Sequence, residues 1–182
     1  MNKQTLTADI HALVQDLLAQ ASNHRFFLGK GITFPEVVIK EMKSYRAMGR
    51  AGKKDGVWTI WVNFKAIEGL GFEHYSKTTI PHEVAHIACM FAKLDNGHGW
   101  KWQSVARHLG DTGDRCADAN ESAAFRAVTA DMKKKPVYRY IYERLDGKEV
   151  KYTVHNHKKL QKNPALLDWN SLKPWTGKKV AV

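Results

Sequence analysis

The stretch Thr79-Ile80-Pro81-His82-Glu83-Val84-Ala85-His86-Ile87-Ala88-Cys89-Met90 limits the folds open to this chain more than any other. It carries H-E-x-x-H inside an apolar run of helical length. Residues i and i+4 share one face of an α-helix, so His82 and His86 can offer one imidazole each to a single metal. Zinc suits two imidazoles at this spacing, and a catalytic zinc keeps one coordination position for water. Glu83 follows the first histidine and can act as general base on that water, whose pKa the metal lowers toward neutrality. Pro81, with no N–H to donate and a fixed φ, fits the first turn of a helix. H-E-x-x-H also arises by chance on amphipathic helices. Here Val84, Ala85, Ile87, Ala88, Met90 and Phe91 make the helix largely apolar and hence buried. Two histidines and a glutamate on such a helix need partners, and a metal supplies one.

A third ligand is required. The extended pattern H-E-x-x-H-x-x-G-x-x-H fails, because position 89 is Cys89 and position 92 is Ala92. His98 is the next candidate, in Asp95-Asn96-Gly97-His98-Gly99-Trp100-Lys101-Trp102. Asn96-Gly97 ends the first helix and turns the chain. His98 then opens a second helical pattern carrying Trp102, Val105, Ala106 and Leu109. The rival is Glu121, since a later glutamate completes a His2Glu site in thermolysin.

Pro81-His82-Glu83-Val84-Ala85-His86, Gly97-His98-Gly99-Trp100-Lys101-Trp102 and Leu109-Gly110, taken together, resemble the SprT-like family, which includes the Spartan-type DNA-dependent metalloproteases and bacterial SprT proteins. The resemblance covers roughly residues 5 to 130. It implies a zinc site of His82, His86 and His98 and an α+β, zincin-like metalloprotease core, with a small antiparallel sheet packed on helices. In such proteins the strand nearest the site can hold an extended peptide by edge pairing.

The remaining elements follow from periodicity. Residues 5 to 20 read as a helix with Leu6, Ile10, Leu13, Val14, Leu17 and Leu18 on one side. Residues 29 to 35 read as a loop, 36 to 42 as a strand, and 46 to 56, rich in Gly and Lys, as an exposed connection. Val57-Trp58-Thr59-Ile60-Trp61-Val62-Asn63-Phe64 is the clearest strand. Residues 69 to 77 form a loop or short helix, in which His74 and Tyr75 are expected at the surface, with a supporting role at the site as the alternative. Residues 111 to 118 read as a polar loop and 120 to 132 as a third helix. Trp100 and Trp102 are read as packing residues, and Cys89 and Cys116 as reduced thiols, since they form no C-x-x-C pair. No apolar run reaches transmembrane length, and Met1-Asn2-Lys3-Gln4 leads into an amphipathic helix rather than a signal-peptide core. A cytoplasmic location is expected, with nucleoid association if the chain binds DNA.

Charge divides the chain. Residues 133–182 hold 13 Lys and Arg against four Asp and Glu, a net of +9, whereas the preceding 132 residues carry only +2. Two domains are therefore expected, 1–132 and 133–182, the second a basic β-hairpin turning at Asp146-Gly147. Its cations lie among Tyr138, Tyr140, Tyr142, Tyr152, Trp169 and Trp175, a mixture suited to single-stranded nucleic acid. Lys133, Lys134, Lys135, Arg139, Lys151, Lys158 and Lys159 are the candidate contacts. A membrane partner is not expected, because no amphipathic helix is expected to carry the basic residues. Many SprT-like proteins carry a zinc ribbon here, and residues 152–159 are similar to its basic part. No cysteine follows Cys116, so a cysteine ribbon cannot form, and His155 and His157 are too few ligands.

The expected activity is zinc-dependent endopeptidase chemistry on one catalytic Zn2+, with Glu83 as general base. The resemblance implies that DNA-bound or DNA-crosslinked proteins are the substrates. Two alternatives stand beside it: a basic DNA-binding protein whose zinc site is structural or vestigial, and a DNA-independent cytoplasmic peptidase that cleaves one regulator protein.

Overall fold

The computed structural model describes residues 2–95, 97–132 and 138–178, with the backbone alone at 138 and 139. The chain forms two compact units, Met1–Lys133 and Lys134–Val182. Together they make an α+β protein with more helix than strand.

In the first unit, helix α1 (Lys3–Ser22) starts where the Asn2 side chain accepts the Thr5 N–H at 2.8 Å. Its apolar stripe of Leu6, Ile10, Val14, Leu17, Leu18 and Ala21 is buried. Three strands follow: β1 (Val37–Glu41), β2 (Gly49–Lys54) and β3 (Val57–Val62), in the order β1-β3-β2. β2 runs antiparallel to β3, but β1 runs parallel to it. The sheet is thus mixed, not antiparallel as expected. The chain leaves β1 and crosses to the far side of β3 before turning back, which strand-by-strand patterning does not report.

β2 itself corrects the expectation of an exposed connection over 46–56. Asp55 and Gly56 both have positive φ, 51° and 83°, and join β2 to β3 through a two-residue turn. That conformation matches the twist of paired strands, and Asp-Gly is its usual sequence. The strand is hard to see in the sequence because Gly49, Ala51 and Gly52 lack β-branched side chains.

Helices α2 (Phe64–Leu70) and α3 (Phe72–Lys77) then lead to α4 (Thr79–Phe91). Buried Asn63 caps α2 through the Lys65 N–H and donates to the carbonyls of Ser44 and Ala47 at 2.7 and 2.9 Å. This pins the segment that precedes β2. α4 is the central helix: Ile80, Pro81, Val84, Ala85, Ile87, Ala88 and Cys89 are buried, against α1, β2 and the following α5 (Trp100–His108). Each large aliphatic side chain among them contributes about 1.5–3 kcal/mol by leaving water, so α4 is fixed by its packing, and its other face is free to carry polar groups. α6 (Ala119–Val128) opens with a capping box of Asp118 and Glu121, and a 3-10 turn at Ala130–Met132 follows.

In the second unit, β4 (Tyr138–Glu143) and β5 (Glu149–Thr153) pair antiparallel. They are followed by α7 (Val154–Lys162) and α8 (Ala165–Trp169). Tyr142, Leu160 and Leu172 form a small core, joined by Tyr140, Tyr152 and Trp175. Tyr140 stacks on His157 with ring centroids 3.7 Å apart, and the Tyr142 hydroxyl meets His157 Nδ1 at 2.9 Å. Of the tyrosines expected on a base-stacking surface, Tyr142 is therefore buried, and Tyr140 and Tyr152 are half-buried against it. Residues 154–162 are helical, so Lys158 and Lys159 do lie on a helix with one buried face, at Leu160. The absence of such a helix is therefore no argument against an anionic surface as partner. Among the described residues, no helix is long and apolar enough to cross a membrane.

Candidate metal centre

α4 brings His82 and His86 to one face, with ring centroids 5.1 Å apart. His98 arrives from the loop before α5. Its Nε2 lies 3.1 Å from Nε2 of His86 and 3.2 Å from Nε2 of His82. All three ligand atoms fall within 4.8 Å of one another, so the triad can hold a metal ion. A ring nitrogen carries either one proton or one lone pair. His98 Nε2 can therefore satisfy only one of its two contacts by hydrogen bonding, whereas a cation at the common focus satisfies all three.

The surroundings favour the neutral form of His86 and His98, the state a metal needs. Burial pushes His86 down to about 3, assisted by His82 and His98. Burial also lowers His98, with His82 and Arg115 adding to it. Trp102, fully buried, forms the floor: its ring lies 4.6, 5.0 and 4.5 Å from those of His82, His86 and His98. The loop is held by Asp95, whose Oδ1 accepts the Gly97 N–H at 2.9 Å. A Cβ at Gly99 would overlap Oδ2 of the same carboxylate, so this position has no room for a side chain.

Glu83 points under β2. It is only 6% exposed, and its Cγ and Oε1 come within 3.0 Å of where a Cβ on Gly49 would lie. Burial pushes its carboxyl up to about 7, against the opposing pull of His82, the Ala51 N–H and Arg50. His82, Glu83 and Gly49 line a cleft of about 810 Å³, together with Tyr45, Asp111 and Arg115.

The SprT-like family model matches residues 14–122, more than half of the chain. The chain belongs to the SprT-like family. Its domains are metalloprotease-like, and the matched span contains the triad, Glu83 and every residue of the loop between α4 and α5. No curated protein and no solved structure matches the chain.

Several expectations for this SprT-like domain change with the structure. Glu121, the rival ligand, is not in the triad. Its Oε1 pairs with His74 Nε2 at 2.6 Å, and its carboxylate also caps α6. His74 faces the cleft wall in that pair. Tyr75 is not at the surface: it is fully buried and donates to the Met48 carbonyl at 2.8 Å. Cys89 is buried with its thiol pushed up to about 12 by desolvation, and Cys116 is exposed. β3, the strand richest in β-formers, is central and paired on both sides, so β2 is the strand with a free edge beside α4. Of the nucleic-acid candidates, Lys133, Lys134 and Lys135 lie outside the described residues, as does the Arg139 side chain. Lys151, Lys158 and Lys159 are exposed on β5 and α7.

Asp111 is a residue of the site that sequence reasoning missed. Its Oδ2 lies 3.3 Å from Nδ1 of His82, and the side chain is 8% exposed. Trp102, expected to serve packing alone, also walls the triad. The signal for Asp111 was present in Leu109-Gly110, a helix-ending pair that sets where the next side chain goes.

Proposed function

We propose that the first unit is a zinc-dependent endopeptidase. The observation that carries this is the convergence of three imidazoles beside a buried glutamate whose carboxyl is pushed up to about 7, in an open cleft. His82, His86 and His98 would hold the ion. Zinc bound there supplies a Lewis acid for the scissile carbonyl and lowers the pKa of an attacking water. Glu83 takes the water's proton and passes it to the leaving amine as the C–N bond breaks. A carboxyl poised near neutrality suits both transfers. Gly49 leaves room for this carboxylate under β2, whose free edge can pair with an extended substrate.

The substrates are proteins bound or crosslinked to DNA, with the second unit as the DNA-binding part. The net charge of +9 over residues 133–182 supports this, as do the exposed cations Lys151, Lys158 and Lys159. Trp169 is 87% exposed and remains available for base stacking. On this function the protein works in the cytoplasm, at the nucleoid.

The test is cleavage of a DNA-bound protein by the purified chain, with and without single-stranded DNA, beside Glu83→Gln. Loss of general-base catalysis costs about 10²–10⁴-fold, and Glu83→Gln is expected to lose at least that while keeping its zinc. Cleavage indifferent to DNA would remove the DNA-linked role. Zinc-loaded protein that binds DNA and cleaves nothing would favour a structural or vestigial site.

A further inference from the structure

Asp111 occupies its place because of how α5 ends. Gly110 adopts φ +93°, its N–H bonds to the Arg107 carbonyl, and the Asp111 N–H bonds to the Ala106 carbonyl at 3.0 Å. This left-handed glycine cap satisfies the last carbonyls of the helix and turns the chain back over the triad. Asp111 Oδ1 then accepts the Thr112 N–H at 2.8 Å. The other oxygen, Oδ2, is buried and makes no regular hydrogen bond. What lies before it is Nδ1 of His82, at 3.3 Å.

A buried carboxylate oxygen without a good donor is destabilising in itself. It becomes favourable if His82 is required in one orientation and one tautomer. With Nδ1 protonated toward Oδ2, the lone pair sits on Nε2, the atom that faces His98 and the common focus of the triad. The carboxylate also offsets the charge of a dication. His86 and His98 are ordered in other ways, by burial against Trp102 and by the Asp95 loop.

We propose that Asp111 is a positioning residue of the metal centre, holding the His82 ring so that Nε2 is presented to the ion. The proposal rests on the triad being a metal site, and is independent of which bond the enzyme cleaves.

The test compares wild type with Asp111→Asn and Asp111→Ala, using zinc itself in competition with a chromophoric chelator. Thermal unfolding of the metal-free proteins is measured in parallel. Outer carboxylates of this kind are worth about 10–100-fold in metal affinity. The expected order is wild type, then Asn, then Ala, because Asn can still accept the Nδ1 proton but carries no charge. Metal-free unfolding temperatures are expected to stay level or rise, since the buried Oδ2, which makes no regular hydrogen bond, has been removed. Zinc affinities within about twofold of wild type in both variants would overturn the proposal. So would an affinity loss matched by collapse of the metal-free fold, which would make Asp111 merely structural. Wild type that binds no zinc would sink this and the peptidase function together, whereas zinc-binding wild type that cleaves nothing would sink only the latter.

Discussion

His86 and Glu83 sit three residues apart on α4, and burial pushes them in opposite directions. His86 is held at about 3, below the ordinary 6.5, and Glu83 at about 7, above the ordinary 4.5. Below pH 6.5 the unfolded chain gains a proton on His86 that the fold refuses, so stability falls as pH drops toward 3. Above pH 4.5 the unfolded chain loses a proton from Glu83 that the fold keeps, so stability falls as pH rises toward 7. Each slope is about 1.4 kcal/mol per pH unit. Between 4.5 and 6.5 the two oppose, and below 4.5 His86 acts alone. Urea unfolding of metal-free protein across pH 3–7 is expected to show that acid limb shallower by one proton in His86→Gln. An unchanged limb would mean that His86 is not held neutral. The two histidines on α4 were legible residue by residue, because the i, i+4 spacing is a local property. Asp111 was not, since its link to His82 spans a helix end and a reversal of the chain.

The elements differ in how openly they declare themselves. α1 and α4 show their apolar periodicity plainly, and β3 is rich in β-branched and aromatic residues. β2 shows neither, because what it needs on its inner side is small size rather than β-propensity. A Cβ on Gly49 would lie 2.9 Å from Thr79 Cγ2 and 3.0 Å from Glu83 Oε1. Gly49→Ala is therefore expected to destabilise the protein by about 1–3 kcal/mol, the usual range for overpacking. It should also displace Glu83, lowering kcat more than zinc affinity. Chemical unfolding and chelator competition check the two parts, and full activity with unchanged stability would mean that β2 yields. The Asp-Gly turn was the available clue to this strand, and the surrounding glycines and lysines masked it.

Across the whole molecule, charge and chemistry are assigned to different units. The first is nearly neutral and carries the triad, and the second is strongly basic. Some of the second unit's cations are paired internally, as in Lys173 with Glu143 and Lys178 with Glu149. Lys151, Lys158 and Lys159 point to solvent. Changing all three to Glu is expected to weaken single-stranded DNA binding and flatten its salt dependence. The logarithmic slope should drop by about 0.7 for each phosphate that is no longer neutralised. Fluorescence anisotropy across a salt series measures this, and an unchanged slope would place the DNA surface elsewhere. By itself the sequence determined the two histidines on α4 and His98 as the candidate metal-binding set, and the change of charge at residue 133. These are matters of spacing and composition, which survive in one dimension. Only the tertiary structure decided that the sheet is mixed, that β2 is the edge strand beside α4, that Glu121 belongs to His74, and that Tyr142 of the second unit is buried with Tyr140 and Tyr152 packed against it. It also brought Asp111 to His82. Those outcomes depend on which surfaces meet once apolar faces are buried, and a backbone reversal or a missing side chain can decide them without leaving a periodic trace.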